Sequence, residues 1–255
     1  MKLIDTHCHL YLKEFENDLP HVVERARNAG IEKFYLPAID SEVTDDMLRL
    51  EKLYPNEFFL MMGLHPCSVK ENYNEELTIV EEYFHKRKFV AVGEIGLDFY
   101  WDTTYTKEQF DAFNRQMELA LSYKLPIVIH TRNAMRETID AVKPFAAKGL
   151  RGIFHCFGDS NETAKQIINM GFYLGIGGVL TYKKANVPEA LKDIDIKHIV
   201  LETDAPYLSP VPYRGKRNES SYLLNIAQKL AEAKNVSVEE VAAITTENAE
   251  KIFGS

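Results

Sequence analysis

The chain has 255 residues and a formal charge of −8 at pH 7. That length lies in the range of one large domain with a substantial core, and no Pro/Gly/Ser-rich linker or long charge block divides it, so a single domain over residues 1–255 is expected. The acidic balance excludes a broad basic surface that grips nucleic acid by neutralising phosphates, but it leaves room for a few cations at the mouth of a metal-containing pocket.

The run Met1-Lys2-Leu3-Ile4-Asp5 meets an acid before any apolar stretch of signal-peptide length, and no later apolar run approaches membrane-spanning length. An unexported, cytoplasmic protein without membrane attachment is expected. Cys8, Cys67 and Cys156 are odd in number and lack paired metal-finger spacing, which suits small buried thiols in a reducing compartment rather than a disulfide framework.

In chain order, short apolar segments rich in β-branched and aromatic residues alternate with longer amphipathic ones. A strand at Leu3 to Thr6 leads to a helix at Asp18 to Ala29, stopped by Gly30. Strands at Lys33 to Leu36 and Phe58 to Met61 lead to helices at Asp45 to Leu53 and Glu76 to Lys86. The strand at Phe89 to Val92 precedes a helix at Lys107 to Tyr123, whose start carries Thr106 and Gln109 in capping-box form. Ile127 to Ile129 and Gly152 to Phe154 are followed by helices at Met135 to Ala147 and Glu162 to Asn169, the second stopped by Gly171. Phe172 to Gly175 is followed by a weak helix at Val187 to Asp193, and Ile199 to Leu201 by two closing helices at Tyr222 to Lys234 and Ser237 to Ile252.

The strands are apolar without strict alternation, as parallel strands covered by helices are. Eight such units predict an α/β fold, a (β/α)8 TIM barrel with additional C-terminal helices, with a doubly wound open sheet as the alternative.

In a barrel, side chains at the C-terminal strand ends converge on one pocket. His7 and His9 leave strand one on the same side of an extended chain, Glu94 leaves strand four, His130 strand five, His155 strand six and Asp204 strand eight. Imidazole and carboxylate suit Zn, Mn, Ni, Co or Fe, whereas magnesium sites are richer in carboxylate, and the six side chains are enough for two metal ions. Asp98 lies close enough to Glu94 to compete with it, and Asp5 reads as a support for the loop or for a histidine. The isolated His21, His85 and His198 read as surface or hydrogen-bonded residues.

The runs Ile4-Asp5-Thr6-His7-Cys8-His9, Gly63-Leu64-His65-Pro66, Gly93-Glu94-Ile95-Gly96-Leu97-Asp98-Phe99-Tyr100, His130-Thr131-Arg132, His155-Cys156-Phe157 and Glu202-Thr203-Asp204-Ala205-Pro206-Tyr207-Leu208 together resemble the TatD family of metal-dependent deoxyribonucleases. The resemblance spans the chain. It implies a barrel of the metal-dependent amidohydrolase type, holding two divalent ions and cleaving phosphodiester bonds, with exonuclease action from the 3′ end. It also implies that His7, His9, Glu94 and Asp204 hold one ion and that Glu94, His130 and His155 hold the other, with Glu94 as bridge. Gly158 stands where family members often carry serine, and Ser220 where they often carry proline, so loop shape departs from the family although no implied ligand does.

The expected function is therefore a metal-dependent deoxyribonuclease that hydrolyses phosphodiester bonds with metal-activated water, a 3′–5′ exonuclease preferring single-stranded DNA, with Mg, Mn or Zn as the ions. Asp204 is the expected proton acceptor, and Glu202 has at most a supporting role. Phosphate contacts are expected from His65 and Arg132, and from Arg214 and Lys216 in a segment that also carries Arg217 around a bend at Gly215. Phe99, Tyr100 and Trp101 read equally as rim packing or, for Tyr100 and Trp101, as surfaces for base stacking.

The alternative is hydrolysis of a small amide, lactone or phosphoester by the same metal geometry, which an enclosed apolar mouth would favour. A purely structural metal would fill every ligand position with protein groups. No heptad run or lipidation motif marks an obligate protein partner, so a monomer is expected.

Overall fold

The computed structural model describes residues 1–254. Its strands form one parallel sheet in sequential order: β1 (Leu3–Asp5), β2 (Ile31–Pro37), β3 (Phe58–Met62), β4 (Ala91–Asp98), β5 (Ile127–Arg132), β6 (Gly152–Phe154), β7 (Tyr173–Ile176) and β8 (Ile199–Leu201). The ring closes where Thr6 donates both its N–H and its hydroxyl to Leu201 O at the end of β8. The helices α1 (Leu19–Asn28), α2 (Thr44–Leu53), α3 (Tyr73–Lys86), α4 (Thr106–Tyr123), α5 (Met135–Ala146), α6 (Asn161–Asn169) and α7 (Val187–Ala190) connect successive strands, and α8 (Leu223–Lys234) and α9 (Val238–Phe253) follow β8. This is the expected TIM barrel with additional C-terminal helices.

The barrel interior explains the apolar strands. Ile4, Tyr35, Met61, Ala91, Val128, Ile153 and Val200, one from each of seven strands, form one buried layer together with Ala249, Ile252 and Phe253 of α9. The Phe253 ring stacks on Tyr35 with centroids 4.0 Å apart. Asn248 of α9 donates to Ile196 O and Ile199 O, and Thr246 donates to Lys2 O, so α9 stoppers the N-terminal end of the barrel. Each large apolar side chain buried there contributes about 1.5–3 kcal/mol. The C-terminal strand ends are left as the open end.

Several elements depart from the sequence-based expectation. β4 and β5 run on to Asp98 and Arg132, so Glu94 and His130 lie within strands rather than beyond them. Their polar side chains face the mouth, which hides the strands from an apolar count. The β4–β5 register shifts between Val92 and Ile95, an irregularity of the kind that re-aims a side chain, and Glu94 sits in it. At Gly96 a Cβ would collide with the His130 carbonyl, so only glycine allows this approach of the two strands.

Thr106 and Gln109 do not make a capping box. Thr106 donates to Thr103 O, while the buried Gln109 amide accepts the Asp98 N–H at 2.9 Å and donates to Asp98 O at 3.1 Å. The side chain holds β4 instead of the helix end. Helix α7 is a single turn of four residues, shorter than the two turns expected. Gly30 and Gly171 end α1 and α6 at positive φ, as expected. Among the described residues, no helix is long and apolar enough to cross a membrane.

Candidate metal centre

The extended chain beyond β1 turns His7 and His9 to one side, with their Nε2 atoms 3.2 Å apart. Glu94 Oε2 lies 3.1 Å from His7 Nε2 and 3.6 Å from His9 Nε2, and Asp204 Oδ1 lies 3.7 Å and 3.4 Å from the same atoms. Donors on one tetrahedral ion with bonds of about 2.0–2.1 Å stand roughly 3.3 Å apart, so these spacings fit a divalent cation.

The other oxygen of Glu94 faces a second group. Oε1 lies 3.0 Å from His130 Nδ1, 3.2 Å from His155 Nε2 and 3.4 Å from His65 Nε2. The His155 ring stacks on His7 at 3.8 Å, which brings the two groups side by side. The site thus holds two distinct clusters of histidine and carboxylate suited to two divalent ions, with one Glu94 oxygen in each.

Hydrogen bonds behind the rings fix which nitrogen points inward. Tyr11 donates its hydroxyl to Pro37 O at 2.7 Å, so toward His9 Nδ1, also at 2.7 Å, it acts as acceptor. That leaves the His9 Nε2 lone pair aimed at the cluster. His155 Nδ1 lies 3.0 Å from Glu202 Oε1, which also accepts the Cys156 N–H, and His130 Nε2 lies 2.8 Å from Asp98 Oδ2. His65 has the opposite polarity. Its Nδ1 accepts the Cys67 N–H at 3.0 Å, so the neutral ring carries its proton on Nε2 and presents a donor to the site.

Electrostatics favour cation binding. Burial raises the Glu94 carboxyl, but its electrostatic interaction with the His7, His155 and His65 rings and the His130 hydrogen bond outweigh it and hold the group well below the usual range. Asp204 is lowered in the same way: burial opposes, while the His9 hydrogen bond and the charges of His155 and His7 prevail. Burial lowers His7 and His65. For His155 burial is overcome by Glu202 and Glu94, which push it well above its ordinary value. An imidazole held between two carboxylates marks a place where positive charge is stabilised, whether by a proton or by a metal.

Two buried acids brace this arrangement. Asp5 accepts the Thr203 N–H at 2.9 Å and its hydroxyl at 2.6 Å, tying the loop that carries Asp204 to β1, and burial pushes its carboxyl up to about 7. Glu202 is seated against Gly175, where a Cβ would collide with its Oε2.

The residues expected at the substrate side stand at the rim. The Arg132 guanidinium lies 3.8 Å from the Tyr100 ring centroid and 5.2 Å from that of Trp101, and both rings are exposed. Arg214 lies 3.7 Å over Tyr182, and Lys216 is exposed. Phe99 packs against Phe110 instead. Arg217 does not join the mouth, because it pairs with both Asp18 oxygens at 2.7 and 2.8 Å. The loop therefore offers two cations rather than three. His21 lies beside Glu24 and His85 beside Tyr123, away from the clusters.

Sequence reasoning missed Tyr11, Tyr182 and the bond from Asp98 to His130. Tyr11 alone had a signal, since it continues the i, i+2 spacing of His7 and His9.

A histidine and carboxylate centre at the open end of a parallel barrel is the architecture of a metal-dependent hydrolase. The family model of TatD related DNase matches residues 4–254. The chain is 38% identical over 252 residues to YabD of Bacillus subtilis, described as an uncharacterized metal-dependent hydrolase, with 98% of each chain covered. It is 29% identical to YcfH of Escherichia coli, described in the same words, over 99% of this chain and 96% of that one. Its fold matches the crystal structure of YjjV, a TatD homolog from Escherichia coli K12, with a TM-score of 0.93 at 27% identity, covering 99% of this chain and 98% of that one. The chain belongs to the TatD family of metal-dependent hydrolases and DNases.

Proposed function

We propose that the protein is a deoxyribonuclease that removes nucleotides from the 3′ end of single-stranded DNA. The observation that carries this reading is the pairing of a two-cluster centre, split across the two oxygens of Glu94, with arginines at its rim that make no ion pair among the described residues. The 3′ polarity rests on the family resemblance.

In this reading His7, His9, Glu94 and Asp204 would hold one divalent ion, and Glu94, His130 and His155 would hold the other, with Mg, Mn or Zn as the metal. When bound, the ions supply Lewis acidity and lower the pKa of water. Asp204, ionised and at the open side of the centre, accepts the proton of the attacking water. His65 donates from Nε2 to a phosphate oxygen, consistent with the proton that the Cys67 bond places there. Arg132, Arg214 and Lys216 hold flanking phosphates, and Tyr100 and Trp101 stack a base. Hydrolysis of a small neutral substrate calls for an apolar, enclosed mouth, and cations at the rim weigh against it. We place the enzyme in the cytoplasm as a monomer without an obligate protein partner.

The test follows products from end-labelled single-stranded DNA. Metal-stripped protein is assayed with Mg2+, Mn2+ or Zn2+ restored, beside a His7→Ala, His9→Ala double variant. Stepwise shortening from the 3′ end that needs both metal and histidines is expected. No cleavage with any ion, despite a loaded centre, would move the assignment to a small-molecule hydrolase.

A further inference from the structure

We infer that the turn Tyr207–Leu208 is a second nucleobase platform, so that the enzyme takes an extended strand with one unpaired base on each side of the cleaved linkage. This rests on the nuclease reading and adds to it the shape of the substrate.

Tyr207 lies three residues after Asp204, its N–H donating to Asp204 O at 2.8 Å, and its ring centroid lies 6.1 Å from that of His9. Tyr207 is 49% and Leu208 37% exposed. Single exposed apolar residues need no explanation, but these two are displayed by a fixed scaffold. The buried Asn218 donates to Thr203 O at 2.7 Å and to Tyr207 O at 2.6 Å. Leu208 has φ +53°, a region that bulky side chains rarely occupy, and Gly178 packs so closely under its carbonyl that a Cβ would collide with it. Val211 N–H donates to Thr181 Oγ1 at 2.8 Å beyond the turn. A strained conformation held by buried hydrogen bonds beside a reactive centre is a mark of function.

The same loop supplies the phosphate partner. Arg214 lies over the Tyr182 ring at 3.7 Å and makes no ion pair among the described residues. Tyr182, not Tyr207, is the ring that holds Arg214, so the loop after β8 offers a base a face at Tyr207 and a phosphate a separate, ring-supported cation at Arg214. β4 and β8 are half a ring apart in the strand order. Tyr100, Trp101 and Arg132 therefore stand on one side of the metal centre, and Tyr207, Leu208 and Arg214 on the other. A duplex keeps its bases stacked inside and offers none to either platform, so the arrangement selects single strands.

The experiment uses the metal-loaded full chain and a short single-stranded oligodeoxynucleotide, intact or with an abasic residue on one side or the other of the cleaved linkage. The metal content of each variant reports the integrity of the metal centre, and hydrolysis of the small diester bis(p-nitrophenyl) phosphate reports the wild-type protein's phosphodiesterase chemistry. Tyr207→Leu should raise KM for the intact strand by roughly 5- to 150-fold with a smaller change in kcat, and Tyr207→Phe should restore most of it. An abasic residue on the Tyr207 side should add nothing to Tyr207→Leu, while one on the opposite side should add to it in full and add nothing to Tyr100→Leu. Unchanged KM in Tyr207→Leu, or abasic penalties that add to it at both positions, would overturn the platform alone. Wild-type protein that hydrolyses the small diester but leaves the strand intact would overturn the nuclease reading and the platform together.

Discussion

Asp98 joins His130 to the aromatic rim: its Oδ2 lies 2.8 Å from His130 Nε2, while Oδ1 accepts the N–H groups of Tyr100 at 2.9 Å and Trp101 at 3.1 Å. One carboxylate thus orients a ring beside Glu94 and shapes the turn that displays Tyr100 and Trp101. Asp98→Asn should weaken metal binding about 10- to 100-fold, as loss of such supporting acceptors does. Titration of metal-stripped protein with Zn2+ checks this, and affinity equal to wild type would remove Asp98 from the role.

Asp204→Asn separates holding a metal from moving a proton. If Asp204 accepts the proton of the attacking water, turnover should fall by about 10^2- to 10^4-fold with metal content retained. Steady-state kinetics on the strand, paired with metal analysis of the same sample, decide it. Near-normal turnover at full metal content would assign the proton elsewhere.

Gly175 leaves room for Glu202, which braces His155. Gly175→Ala should displace that carboxylate and lower stability by about 1–3 kcal/mol through overpacking. Urea unfolding measures the loss. Because His155 loses its brace, weaker metal binding should accompany it; a variant as stable and as metal-avid as wild type would count against the contact.

Glu219 and Arg25 form a bidentate pair at 2.8 and 2.6 Å behind the β8 loop. Burial raises the Glu219 carboxyl, but the Arg25 hydrogen bond and charge outweigh it and leave it below its ordinary value. A carboxyl lowered by folding adds stability that is present above its unfolded pKa and is lost as pH falls through the folded one. Arg25→Leu should therefore be less stable than wild type at neutral pH, with the gap closing as the pH drops below the ordinary glutamate range. Urea unfolding of both proteins across acid pH would show a gap independent of pH if the pair contributed nothing.

Much of the fold was legible because its signals are local. Most strands carry a short apolar run, β-branched or aromatic, and Gly30 and Gly171 mark helix ends. The gathering of His7, His9, Glu94, His130, His155 and Asp204 needed only the strand order, since a parallel barrel brings its C-terminal ends together. What stayed hidden depends on partners distant in sequence. Arg217 looked free until folding brought Asp18 to it, and Gln109 looked like a helix cap although its amide holds Asp98. The ends of β4 and β5 were unreadable for another reason: residues that face a polar mouth break the apolar run that announces a strand.

Glu94 turns Oε2 to His7 and Oε1 to His130 and His155, and each oxygen would thereby serve a separate ion. Anomalous scattering from crystals grown with Zn2+ or Mn2+ tests it most directly. Two peaks are predicted, one between Glu94 Oε2, His7, His9 and Asp204 and the other between Glu94 Oε1, His130 and His155. A single peak, or two peaks with Glu94 bound to only one of them, would contradict a shared Glu94.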